Sequence, residues 1–233
     1  MKIEVLNDAD AVARRAAGLI AADARAAAAA RGRFVMAVSG GRTPWVMLRT
    51  LADEDVPWPQ VHIVQVDERV APAGDPDRNL THLKASLLEH APLTAAQIHA
   101  MPVEATDLAP AATQYAATLA ELAGTPPVLD LVHLGLGPDG HTASLVPRDP
   151  ALDVTDADVT IAGPYQGHKR MTLTYPVIDR ARRVLWVVTG EEKATMLQRL
   201  VRADRAIPGG RVEQDNAVVL ADRPAALKLI PAT

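Results

Sequence analysis

The chain contains no cysteine. Disulfides, thiolate catalysis and Cys–zinc centres are excluded together. Aromatic residues are scarce at 3%, so a core has to be assembled from Ala, Val, Leu and Ile. No apolar run reaches the roughly 18 residues of a membrane-spanning helix. A basic excess is missing too. The 24 Lys and Arg are scattered and outweighed by 28 Asp and Glu, for a net charge of −4. That balance argues against a nucleic-acid or anionic-membrane partner. The start, Met1-Lys-Ile-Glu-Val-Leu-Asn-Asp8, lacks the apolar stretch of a signal peptide. A cytoplasmic location is the expectation.

What is present is 48% hydrophobic residue over 233 positions, ample for one large α/β domain. Helix is expected over 9–31, which is Ala-rich, from Pro44 to about Ala52, over 79–89, over 107–123 and over 191–202. Apolar runs at 34–38, 61–66, 129–134, 183–189 and 217–221 read as strands, with further β character at 98–101 and 171–174. Residues 149–158 read as acidic loop. Strands alternate with helices, and several strands are apolar throughout. The fold class this implies is α/β, a mostly parallel Rossmann-like sheet with helices on both faces. No repeat or linker divides the chain, so a single domain over 1–233 is expected.

Ligands of such sheets bind beyond the carboxyl ends of the strands. Four segments follow strands directly. Ser39-Gly-Gly-Arg-Thr43 offers small residues, successive N–H groups and two hydroxyls ahead of a helix, which suits a phosphate; it also suits a tight turn. It lacks the Gly-Lys-Ser/Thr ending of a P-loop, and a nucleophile elbow needs Gly where Ala37 stands. Asp67-Glu-Arg69 places two carboxylates and a guanidinium together, as a site or as a surface salt-bridge turn. Lys193 sits in the first turn of its helix, against the helix dipole. A bound anion explains it; so does plain solvation. Gly135-Leu-Gly-Pro-Asp-Gly-His-Thr-Ala-Ser-Leu145 carries Asp139 and His141 two apart in a Gly-rich turn, an acid and an imidazole suited to proton transfer. Arg170 precedes a strand and has the same two readings as Lys193. His62 and His133 fall inside strands and read as packed residues. His82, His90 and His99 read as lying in or near helices without partners. A metal site from His133, Asp139 and His141 matches no standard ligand spacing.

Val38-Ser-Gly-Gly-Arg-Thr-Pro44, Asp67-Glu-Arg69, Gly135-Leu-Gly-Pro-Asp-Gly-His-Thr-Ala-Ser-Leu-Val-Pro147 and Arg170-Met-Thr-Leu-Thr174 resemble the 6-phosphogluconolactonase family in order and spacing over most of the chain. That family is grouped with the glucosamine-6-phosphate deaminases/isomerases, and its fold is a Rossmann-like parallel α/β sheet. The deaminases share Gly-x-Gly-x-Asp-Gly-His but continue Ile-Ala-Phe-Asn-Glu-Pro. This chain continues Thr142-Ala-Ser-Leu-Val-Pro147, in the lactonase manner. It departs at Val146, where the family usually has Phe, and at Arg78-Asn79, where it often has Ser-Asn.

The resemblance implies hydrolysis of 6-phospho-D-glucono-1,5-lactone to 6-phosphogluconate, in the oxidative pentose phosphate pathway, with no metal or organic cofactor. His141 is then the natural base and later acid, oriented by Asp139, with Arg69 stabilising charge or binding phosphate. Ser39, Gly40, Gly41, Thr43, Asp67, Arg170 and Lys193 make up the implied substrate and phosphate site. The implied partner is a phosphosugar lactone, and the implied working state is a monomer or weak homo-oligomer. Two other classes stay open: a sugar-phosphate isomerase or deaminase of the same fold, and a non-catalytic sugar-phosphate-binding regulator, which normally carries a DNA-binding module that is not visible here.

Overall fold

The computed structural model describes residues 1–229, with the Arg42 side chain outside that description. Seven parallel strands form the central sheet: β1 (Lys2–Leu6), β2 (Phe34–Val38), β3 (Val61–Gln65), β5 (Ile98–His99), β6 (Leu131–Leu134), β9 (Val184–Val188) and β10 (Ala217–Asp222). Their spatial order is β1-β10-β9-β6-β2-β3-β5. The chain builds outward from β2 through β3 to β5, then returns to the other side of β2 at β6. The gap between β2 and β6 is therefore the topological switch point, where such sheets bind ligands.

Strands β2, β6, β9 and β10 are buried on both faces, which is why they read as largely apolar runs. In β2, Phe34, Met36 and Val38 face one core and Val35 and Ala37 the other. The first core is covered by α1 (Ala9–Arg31), α2 (Arg42–Leu51) and the start of α3 (Asn79–Leu83). The second lies under α4 (Leu108–Ala123), α5 (Tyr175–Asp179) and α6 (Ala194–Val201). Helix α1 shows the local logic. Asp8 caps its N-terminus by accepting from the Ala11 amide, and Gly32 ends it in the left-handed conformation. Between them Val12, Ala13, Ala16, Ala17 and Ile20 form the buried stripe.

A second sheet was not foreseen. It is antiparallel, in the order β4-β8-β7, and consists of β4 (Asp67–Arg69), β8 (His168–Leu173) and β7 (Val159–Tyr165). Asp67-Glu-Arg69 is thus a strand in its own right and not the end of the preceding one. Val66 joins the two sheets: its amide donates to Val38 of β2 and its carbonyl accepts from Leu173 of β8. Other differences are local. Edge strand β1 was missed because Lys2 and Glu4 interrupt its apolar residues. The helix expected at 79–89 passes from α-helix into a π turn at Lys84–Leu88. The 149–158 loop contains a 3₁₀ turn, Pro150–Asp153. Among the described residues no helix is long and apolar enough to cross a membrane.

Candidate active site

The carboxyl ends of β2, β3, β6, β9 and β10 open into a cleft of about 510 Å³. Ser39, Gly40, Gly41, Thr43, Asp67, Arg69, His141, Arg170 and Lys193 all line it. Of the candidate residues only Asp139 stands back, behind His141. The cleft walls also include Asn79, Thr189, Glu192 and Asp222.

The turn after β6 is built around its histidine. The Gly137 amide donates to the His141 carbonyl at 2.8 Å, and the Gly140 amide to the Gly137 carbonyl at 3.0 Å. This folds the imidazole back over Gly137, where an added Cβ would lie 2.0 Å from His141 Nδ1. Only glycine leaves room for the ring. Asp139 Oδ1 lies 2.5 Å from that Nδ1 and also accepts from the His141 amide at 3.1 Å. Burial alone pushes the Asp139 carboxyl up, but the hydrogen bonds and charge of His141 hold it below the usual carboxylate range. An ionised carboxylate only accepts, so Nδ1 carries the proton and donates to Asp139. The basic lone pair of His141 is then on Nε2, the nitrogen left for the cleft.

The tail of the same motif ties this turn to the small sheet. Ser144 is fully buried. Its hydroxyl donates to Asp67 Oδ2 at 2.6 Å, and its amide donates to Thr172 Oγ1 at 3.2 Å. Asp67 is accordingly occupied by the protein. Burial raises its carboxyl, opposed by Ser144 and by the charges of Arg69 and Arg170. Its neighbour Glu68 faces inward. It accepts from the Asn79 and Leu80 amides at 2.8 Å each and so starts α3. Arg78, the departure noted above, is buried and paired with Glu68 and Glu104, and it does not line the cleft.

Arg69 donates to the Asp77 carbonyl at 2.6 Å and to Asn79 Oδ1 at 3.0 Å. Arg170 lies 3.9 Å from Asp67 and donates to the Tyr165 carbonyl. Lys193 ends the 3₁₀ turn Glu191–Lys193 that leads into α6. Three cations thus edge one cleft.

The Ser39–Thr43 segment is more committed than its composition suggests. The Ser39 hydroxyl donates to the His133 carbonyl at 3.0 Å, and its amide donates to His133 Nδ1 at 3.3 Å. Thr43 Oγ1 sits 2.5 Å from Thr189 Oγ1. Neither hydroxyl is unengaged. The groups that remain for an anion are the Gly40 and Gly41 amides, which have no protein acceptor among the described residues. Gly41 precedes α2 with φ 125°, a conformation that favours glycine. Gly40 is needed for another reason: a Cβ there would stand 2.0 Å from Asn79 Oδ1.

Several residues escaped the sequence reading. His133 is packed, as expected, but it also holds Ser39. Burial drives its imidazole down to about 4, so it is neutral. Since Nδ1 accepts from Ser39, its proton is on Nε2, which is buried without a partner among the described residues. His82, His90 and His99, read as partnerless, are not. His82 stacks on Trp45 with centroids 3.9 Å apart, His90 approaches the Ala85 carbonyl, and His99 lies 3.2 Å from His62 within the sheet. Asn79 entered only beside Arg78 as a position that the family shares, and Tyr165 came without any local signal beyond its residue type.

Residues 7–220 match the family model described as glucosamine-6-phosphate isomerases/6-phosphogluconolactonase. A 6-phosphogluconolactonase of Synechocystis is 38% identical over 82% of this chain and 81% of its own. One of Mycobacterium tuberculosis is 36% identical over 97% of this chain and 98% of its own. The solved 6-phosphogluconolactonase structure of Trypanosoma brucei superposes with a TM-score of 0.87 at 27% identity, covering 98% of each chain. On this agreement of sequence and fold, the chain belongs to the glucosamine-6-phosphate isomerase/6-phosphogluconolactonase family, and within it to the 6-phosphogluconolactonase branch.

Proposed function

We propose that the chain hydrolyses 6-phospho-D-glucono-1,5-lactone to 6-phosphogluconate, with His141 as general base and then general acid. The observation that carries this reading is the Asp139–His141 pair, whose Nε2 is left to a cleft edged by Arg69, Arg170 and Lys193. A lactone is an ester already activated toward water. It needs a base for the water, a counter-charge for the carbonyl oxygen as it becomes an oxyanion, and a proton for the departing ring oxygen. In this mechanism Nε2 of His141 takes a proton from water as the oxygen attacks the lactone carbonyl. Asp139 stabilises the imidazolium that forms. Collapse of the tetrahedral intermediate breaks the bond to the ring oxygen, which takes the proton back from Nε2. Arg69 and Arg170 offset the developing negative charge. The Gly40 and Gly41 amides and Lys193 hold the phosphate, with Ser39, Thr43 and Asp67 shaping the cradle through their protein bonds. The proton transfers run between His141 and water, and backbone amides and side chains hold the substrate.

The test is hydrolysis of the 6-phosphorylated lactone by purified protein, measured against spontaneous opening and against unphosphorylated glucono-1,5-lactone. Fast, phosphate-dependent opening supports the reading. Opening no faster than the spontaneous rate, or ammonia release from glucosamine 6-phosphate in its place, overturns it.

A further inference from the structure

Tyr165 stands at the tip of the β7–β8 hairpin, just after a register shift in that strand pair. Its hydroxyl lies 3.2 Å from Asp139 Oδ2, the oxygen that His141 leaves free, and 3.4 Å from His141 Nδ1. Nδ1 already donates to Asp139, so the phenol proton goes to Oδ2. The two oxygens of Asp139 are thereby held by two donors from different loops. The Tyr165 ring meets the His141 ring edge-on, with centroids 5.2 Å apart at 64°. The Arg170 guanidinium lies 5.2 Å from the centroid of the same ring, and Arg170 Nε and Nη2 donate to the Tyr165 carbonyl at 3.3 Å. The charged and titratable groups around this phenol are thus Asp139, His141 and Arg170. Burial and the Asp139 charge push the phenol up, so it stays a donor at neutral pH.

We propose that Tyr165 is a positioning residue: by donating to Asp139 Oδ2 and packing against the imidazole, it fixes the Asp139–His141 pair with Nε2 toward the cleft. The inference rests on the acid–base reading of His141. A carboxylate with one fewer donor carries more negative charge against the imidazole and favours its protonated form. Removing the phenol hydroxyl therefore costs turnover and shifts the pH at which the base works.

The test is Tyr165→Phe, which keeps the ring, compared with Asp139→Asn and with the double variant. Tyr165→Phe should lower kcat about 3- to 10-fold, the scale of one ordinary intramolecular hydrogen bond, with KM unchanged. The acid limb of its kcat/KM profile should move to higher pH. In the Asp139→Asn background the same change should add little, because the two act as one unit. An unchanged kcat and acid limb in Tyr165→Phe, or losses that multiply in the double variant, overturn the proposal. His141→Ala separates the two failures. If it is inactive while Tyr165→Phe behaves as wild type, only the positioning role falls. If it remains active, the acid–base reading falls and takes this role with it.

Discussion

Arg69 of β4 stands directly opposite Arg170 of β8 in the register of the small sheet. Like charges facing each other across a strand pair destabilise it. Burial first, and the charge of Arg69 second, pull the Arg170 guanidinium down. Asp67 sits beside both, but its carboxylate is bound by Ser144. The pair makes physical sense as half of an anion site whose other half is the ligand.

Arg170→Met should lower kcat/KM by about 10-fold or more, the scale of one lost charge-assisted contact. Inorganic phosphate should raise the melting temperature of the wild type through binding to the folded state. Loss of that rise in Arg170→Met places Arg170 on the phosphate. A retained rise with reduced kcat places it on the developing oxyanion. Unaltered kinetics and an unaltered phosphate shift remove Arg170 from the site.

Lys193 is a partly exposed cation in the turn that leads into α6. On the proposed reading its contact with the substrate phosphate is made equally in the ground state and the transition state, so it should act on binding. Lys193→Ala should raise KM about 10-fold while kcat stays within about two-fold of wild type. Steady-state kinetics at low ionic strength check this, and a fall in kcat at constant KM contradicts it.

His133 gives the fold an acid-sensitive point beneath the Ser39 turn. Its imidazole is depressed from 6.5 to about 4 by burial. The unfolded chain therefore binds this proton at a higher pH than the folded one does. Stability from this group is complete above pH 6.5 and declines as pH falls toward 4, by a total on the order of 3 kcal/mol. His133→Asn retains an acceptor for the Ser39 amide but cannot titrate. Urea unfolding at pH 7 and pH 5 should show a larger acid loss in the wild type than in His133→Asn. Equal losses contradict the assignment.

What could be read from the residues alone follows from where each signal lies. Strands β2, β6, β9 and β10 are buried on both faces, so their runs are apolar but for His133 in β6 and Asp222 at the end of β10, and they announce themselves. Strand β7 does not, because Gly163 and Pro164 interrupt it before Tyr165. The turn that carries Asp139 and His141 stood out because glycines crowd around them within a few positions. The contacts that complete the site are not local. Ser39 and His133 are 94 residues apart, Ser144 and Asp67 77, and Tyr165 and Asp139 26. No periodicity or short motif encodes pairings over such separations. The small sheet brings Asp67, Arg69 and Arg170 to the cleft and Tyr165 to Asp139, and it depends on β4–β8 pairing across about a hundred residues of chain.

The proposed reaction turns on one proton at one atom, Nε2 of His141. The most direct measurement is kcat of His141→Ala on 6-phospho-D-glucono-1,5-lactone, beside a folded-state check by melting temperature. The variant should melt near the wild type, since the side chain lies at the cleft surface, and its kcat should fall about 100-fold or more with KM little changed. A well-folded His141→Ala protein that turns over within about three-fold of wild type, less than loss of a general base allows, would contradict the central claim.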